Sequence, residues 1–203
     1  QDSWLDQVSR VLAMIGVSMP VFWLGLILQY VFYGQLHWLP VGTRIDDLIV
    51  APPTITGLYT LDSLLAGQTD AFVSSLRHLV LPACTLCLAC LATVSRQVRS
   101  AMLEVMHQPY ITTAHAKGLS GRAVIIGHAL RNAWVPVITV VTLQTGALLG
   151  GAVLTETVFQ WPGLGLYGLK SVIALDYQPI MTVALIIAVA YTTLNLLADI
   201  LYV

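Results

Sequence analysis

The chain has 203 residues, 57% of them apolar and only 9% charged, with a net charge of −1, against roughly 25% charged in an average soluble domain. A soluble fold of this size cannot bury that much apolar surface or stay dispersed on so few charges, and no basic stripe is offered to nucleic acid. The composition predicts an all-α membrane protein.

A polar segment, Gln1–Arg10, leads without a signal peptide into the first predicted span, Val11–Tyr33, interrupted only by Pro20 and Gln29. This opening reads as a chain that starts in a loop. A long connection follows, Gly34–Arg77, with Pro40, Pro52 and Pro53 and several glycines. The second predicted span is His78–Ser95, near the lower end of the roughly 17–25 residues that cross a bilayer. Its Cys84, Cys87 and Cys90 have no His or Asp between them, and read as small buried thiols in a helix, not as a metal triad or a disulfide framework.

Val98, Ala101, Met102, Val105 and Met106 recur at helical spacing, so the second span should continue as an amphipathic helix. Pro109 breaks it and suits the first turn of a new, two-turn helix through Lys117. Gly118 stands where a left-handed residue would end that helix, and Ser120 is an N-cap for the next. The third predicted span is Ala133–Thr155, with Gly146 and Gly150 in a G-x-x-x-G face that serves close packing inside the chain or against a second chain. The connection Glu156–Pro179 precedes the fourth predicted span, Ile180–Ala198, which carries Asn195 and ends at Asp199.

Basic residues set the orientation. Arg96, Arg99, Lys117, Arg122 and Arg131 share the connection 96–132, while the outer loops 34–77 and 156–179 hold only Arg44, Arg77 and Lys170. The connection 96–132 and both termini are therefore expected on the cytoplasmic side. This placement answers a question raised by "WPGLGLYGLKS" at 161–171, where Gly163, Gly165 and Gly168 fit G-x-G-x-x-G. A phosphate cradle needs a strand before it and a helix start after it. Here the stretch follows a span and lies on the face without ATP, so a nucleotide site is not expected.

Polar groups inside a membrane should face protein or a water-filled cavity. Gln144 and Thr145, with Thr142, are candidates for lining a pathway, and Glu156 for an anchor or gate near the outer mouth. Gln29, Asn195 and Asp199 are further polar residues in or beside spans, the last two expected to pair with other helices near the cytoplasmic surface. His37 and His78 lie on the outer side, where a lone interfacial histidine serves as an anchor.

The stretch "YITTAHAKGLSGRAVIIGHALRNAWVPVIT" (110–139) resembles the EAA loop of ABC importer permeases of the dipeptide/oligopeptide/nickel family. "GVSMPVFWLGLIL" (16–28), "LRHLVLPA" (76–83) and "GALLGGAVLTETVFQWPGLGLYGL" (146–169) are similar to the same family, in the expected order. The general E-A-A-x-x-x-G pattern is altered: Thr112, Thr113 and Ala114 stand in its first three positions, so its acidic residue is missing, and Gly118 supplies the glycine. Arg131 replaces the proline of I-x-L-P. Both departures look like those of the peptide-type branch.

The resemblance implies a type I ABC importer transmembrane domain, with this chain holding the last four of six helices plus a short cytoplasmic coupling helix. Thr112, Thr113, Ala114, Ala116, Lys117, Gly118 and Leu119 would contact an ATPase, and Glu156, Trp161, Pro162, Gly163 and Gly165 would shape the outer loop or gate. The implied partners are membrane lipid, a second homologous permease, two cytoplasmic ATPase subunits carrying ATP-Mg, and an external substrate-binding protein, in a bacterial or archaeal inner membrane. No cofactor or metal is expected on this chain. An intramembrane enzyme would need paired catalytic groups, and Glu156 and Asp199 lie at opposite ends of the spans. A channel is the remaining alternative, and the EAA-like loop argues against it.

Overall fold

A computed structural model describes Trp4, Val8 and residues 19–149 and 152–201. The regular elements among the described residues are all helical. Helix α1 is Val21–Leu28 and continues as a π-helical stretch, Gln29–Gln35. Then come α2, Tyr59–Leu65; α3, Thr69–Met106; and α4, Pro109–Ala116. Helix α5 starts as Gly121–Ala123, widens to a π-helical turn over Val124–Ala129 and runs on as Leu130–Leu149. The last three are α6, Val153–Val158; α7, Leu164–Ile173; and α8, Tyr177–Leu201.

Among the described residues, three helices are long and apolar enough to cross a membrane: Thr69–Met106, Gly121–Leu148 and Tyr177–Ile200. The most apolar stretch of α8 is only 6% buried within the chain, so nearly all of its side chains are left for lipid or another protein chain. At 38 residues, α3 is about 57 Å long, well beyond a hydrocarbon core of about 30 Å.

Several boundaries differ from those expected. The described part of the first span begins after Pro20, whose ψ of 134° is not helical, and Val11–Ser18 lie outside the described residues. Helix α3 begins at Thr69, ahead of His78. The polar residues there look unlike a membrane span, but Ser75 returns its hydroxyl to the Ala71 carbonyl (2.7 Å) and His78 its Nδ1 to the Ser74 carbonyl (2.9 Å), so the turns satisfy their own polar groups. Ala133–Thr155 is not one helix, because Ala152 has a non-helical ψ of 57° and caps the separate α6. The cysteines correct an expectation too: Cys84 and Cys87 are exposed and Cys90 is half-buried. They sit on an apolar helix surface, where a thiol is as acceptable to lipid as to a core.

The chain divides into two compact units. One comprises Ser18–Ala89 and Gly151–Ala184, and its core is built around Phe159, 1% exposed. Gly25 of α1 lets that ring approach: a Cβ there would lie 3.1 Å from Phe159 Cε2. The neighbouring backbone is tied down on both sides, by Gln29 Nε2 donating to the Val158 carbonyl (3.1 Å) and Thr43 N–H donating to the Phe159 carbonyl (2.9 Å). Burying such a side chain contributes about 1.5–3 kcal/mol. The loop before α2 is held by Asp62, fully buried, which accepts from Thr56 N–H and Thr56 Oγ1 (both 2.7 Å) and from Gly57 N–H (3.0 Å).

The other unit comprises Gln1–Val17, Cys90–Gly150 and Leu185–Val203. Its core is Ile111, Ala114, Val124 and Ala129, packed against Met102, Val105 and Met106 of α3. Within this unit Gly146 meets Tyr191 of α8 so closely that a Cβ would fall 2.4 Å from the ring. The first glycine of the G-x-x-x-G pair is thus used inside the chain, while Gly150 lies outside the described residues.

Candidate functional site

Two places gather the residues singled out by the sequence. The first is α4. Pro109 occupies its first position, after an extended Gln108, where a missing N–H costs nothing. At the other end Gly118 has φ +80°. Its N–H donates to the His115 carbonyl (2.9 Å) and the Leu119 N–H to the Ala114 carbonyl (3.4 Å), which is the paired bonding of a Schellman stop. Ser120 then accepts from Ala123 N–H (3.4 Å) and opens α5.

A helix of two turns is not stable alone. This one is held by Ile111, 2% exposed, and Ala114, 6% exposed, both turned onto the α3 and α5 side chains of the core. The opposite face is open: Thr112, Thr113, His115, Ala116, Lys117, Gly118 and Leu119 are all exposed. The resemblance places Ala114 among the ATPase-contacting residues, but it is buried in the core instead, because residues at 111 and 114 share one face of a 3.6-residue helix. The Thr113 hydroxyl bonds back to the Pro109 carbonyl (3.1 Å). The result is a rigid, short, small-residue surface with a single cation, Lys117. It holds no catalytic constellation and is suited to contact.

The second place is the turn from α6 into α7. Trp161 is half-buried, Pro162 exposed and Gly165 buried. The cap position of α7 is Gly163, which has no side chain to offer. Glu156 supplies the missing group from outside the helix: its Oε2 accepts from Leu166 N–H at 2.6 Å. Gly163 makes room, since a Cβ there would lie 2.4 Å from both Cδ and Oε1 of Glu156. The glycine-rich helix start that looked like a phosphate cradle is therefore an anion site filled by the chain's own carboxylate. The partnership of Glu156 with α7, and the part of Phe159 and Gly25 beneath it, were not legible from the sequence. The adjacent carboxylate, seven residues before a helix-opening glycine, is the only local hint.

The candidate pathway residues are less distinctive. Thr142 and Gln144 are half-buried, and Thr145 is exposed with its hydroxyl bonded to the Val141 carbonyl (2.8 Å). Asn195 is half-buried and Asp199 exposed. Among the described residues no three His, Cys, Asp or Glu side chains are grouped to hold a metal ion; His78 is buried on α3, and His37 lies in the loop with φ +52°.

Comparison with known proteins matches residues 1–203 to the family described as binding-protein-dependent transport system inner membrane component. The probable D,D-dipeptide transport system permease protein DdpB of Escherichia coli K12 is 48% identical over 202 residues, covering 100% of this chain and 59% of that protein. The dipeptide transport system permease proteins DppB of Alkalihalophilus pseudofirmus and Haemophilus influenzae are each 46% identical, again over 100% of this chain and 60% of theirs. The chain thus spans about three fifths of the length of these curated relatives.

Proposed function

The chain belongs to the family of binding-protein-dependent transport system inner membrane components, and from that premise we propose that it forms part of a permease subunit of an ATP-driven importer of dipeptides in a bacterial membrane. The cargo class is taken from the names of the relatives. The subunit pairs with a second permease, receives substrate from an external binding protein, and leaves ATP-Mg binding and hydrolysis to separate cytoplasmic ATPases. Helix α4 is its coupling element, and Thr112, Thr113, Ala116, Lys117 and Leu119 form the contact surface. Thr142, Gln144 and Thr145 line the path, and the loop of Glu156, Trp161, Pro162, Gly163 and Gly165 shapes its outer mouth.

The observation that carries this reading is the fixing of α4 at both ends and on one face, with the other face bare. A short helix so held moves with α3 and α5 as one body, so a push on it reaches the spans. The test is reconstitution of the complete transporter with Ala116→Trp, at an exposed position that leaves the core intact. Uptake of a labelled dipeptide is expected to fall at least about tenfold, equivalent to about 1.4 kcal/mol, while membrane insertion and basal ATP hydrolysis persist. Unchanged uptake in that variant, and in Lys117→Glu, refutes the coupling role.

A further inference from the structure

The turn from α7 into α8 carries apolar side chains that the reading above does not employ. Ile173, Leu175, Tyr177 and Met181 are each 71–74% exposed. Tyr177 and Met181 stand one turn apart on one face of α8. The backbone of the turn closes on itself. Leu175 N–H donates to the Val172 carbonyl (3.1 Å) and Asp176 N–H to the Ser171 carbonyl (3.0 Å), the paired bonding of a Schellman stop. Asp176 Oδ1 then accepts from Gln178 N–H (3.3 Å) at the start of α8. Polar groups are used within the turn and large apolar side chains are turned out, a surface that calls for an apolar neighbour.

A second observation is independent of exposure. Leu175 has φ +54°, at the left-handed position where a Schellman stop ordinarily carries glycine. The other described non-glycine residues with positive φ are polar: His37, Thr43 and Gln160. The Cβ of a leucine here crowds the following carbonyl, and in water its side chain adds the cost of exposed apolar surface. Glycine avoids both costs. Leucine is favoured at this position where an apolar medium takes up its side chain.

The charges beside α8 identify that medium. Tyr177–Ala198 contains no charged residue, and Asp176 and Asp199 stand at its two ends. The stretch rises about 33 Å, close to the hydrocarbon thickness of about 30 Å, so Asp176 lies at a headgroup layer. The Cα atoms of Leu175 and Tyr177 are about 3.8 Å from its own and share that depth. Exposed Tyr177 suits this boundary, and exposed Lys170 in the last turn of α7 suits lipid phosphate. From the turn the apolar surface continues down α8, whose most apolar stretch is only 6% buried within the chain.

We infer that the α7–α8 turn is a lipid anchor. Ile173, Leu175 and Tyr177 enter the boundary between phospholipid headgroups and acyl chains, and Lys170 meets phosphate. The left-handed backbone at Leu175 is retained because it places a leucine in that layer. This goes beyond the permease reading, which gives the turn no part in coupling or in the path.

The test places a nitroxide at Leu175→Cys in the complete transporter in phospholipid nanodiscs, with the native cysteines, Cys84, Cys87 and Cys90 among them, replaced by alanine. Power saturation with oxygen and with a nickel chelate reads the depth of the label. It is expected about 5–10 Å below the phosphates, open to oxygen and closed to the chelate. Access by the chelate puts the turn in water, and shielding from both probes puts it under a protein such as a second permease or a binding protein; either result overturns the inference. Leu175→Asn keeps a residue that tolerates the left-handed backbone and should shift a label at Ile173→Cys toward water; an unchanged depth overturns the role of Leu175. A last measurement needs no substitution, so it stands even if a variant fails to fold. The native transporter is irradiated with phospholipid carrying a diazirine at the headgroup end of its acyl chain, and mass spectrometry should find adducts on residues 173–181. Adducts confined to residues beyond Met181 overturn the anchor.

Discussion

Replacing Gly163 by alanine tests the account of the turn from α6 into α7 most sharply. The new Cβ would fall 2.4 Å from Glu156 Cδ and Oε1 and 2.7 Å from Oε2. Unbonded heavy atoms do not stay so close, and the part that yields is the end of the flexible Glu156 side chain, not the backbone. Yielding draws Oε2 away from Leu166 N–H, now at 2.6 Å. A hydrogen bond to a charged group is worth about 1.5–3 kcal/mol, and the carboxylate at the helix start adds about 0.3–1 kcal/mol. Glu156 is only half-buried, so water recovers part of this, and alanine stiffens the unfolded chain by about 0.4–1 kcal/mol. The expected net loss is about 1–2 kcal/mol.

In a Glu156→Ala background the same glycine replacement meets no carboxylate. The backbone at 163, with φ −105° and ψ 178°, accepts any residue, so there the change should be neutral or stabilising by up to about 1 kcal/mol. The assay is a double-mutant cycle by denaturant unfolding in detergent, followed by tryptophan fluorescence with Trp161 close by. An effect of Gly163→Ala that is equal in both backgrounds refutes the reasoning, because the two sites would then be independent.

Gly146→Ala should cost about 1–3 kcal/mol by overpacking, since its Cβ would lie 2.4 Å from the Tyr191 ring; Tyr191→Ala in the same chain should restore most of the loss in the same unfolding assay. Burial alone would raise the Asp62 carboxyl, but hydrogen bonds from Thr56 and from the backbone at Ile55 and Gly57 outweigh it and hold the group below its usual value. A lowered folded-state pKa stabilises above the ordinary carboxylate range and loses that contribution as pH falls through the lowered value. Protease protection of the 56–65 segment should therefore fall on the acid side, and Asp62→Asn should remove that pH dependence along with the protection. Ala114→Leu should destabilise the core around Ile111, Val124 and Ala129 by about 1–3 kcal/mol, seen as a lower melting temperature, whereas Ala116→Leu should leave melting unchanged; equal effects would mean that the two faces of α4 are wrongly assigned. Gly118→Val meets no neighbour within 4 Å, so its cost is that of a branched residue at φ +80°, about 1–2 kcal/mol, and should appear as a matching loss of stability.

Much of the helical grammar was legible because it is local. Pro109 and Gly118 act through their own backbone constraints, whatever surrounds them, and Ser120 through an N–H three residues on. The membrane class follows from composition alone, since 9% charge leaves a chain of this size no other solvent. Boundaries were less legible where side chains satisfy themselves: the polar first turns of α3 look like loop in a hydropathy reading, yet they are helix. The direction in which a small residue faces was not legible either. Ala114 and Ala116 are chemically identical in the sequence, and only packing against Met102, Val105 and Met106 decides that one is core and the other surface.

The sequence by itself determined the solvent, the helix breaks and the family, because each depends on composition or on residues near in the chain. Only the tertiary structure decided what meets what over distance: Gly146 with Tyr191, Phe159 with Gly25, the carboxylate of Glu156 with the start of α7, and Arg77 with the loop at Trp38. A glycine records that space is needed beside it, and the atom that takes the space is set by how separate helices pack.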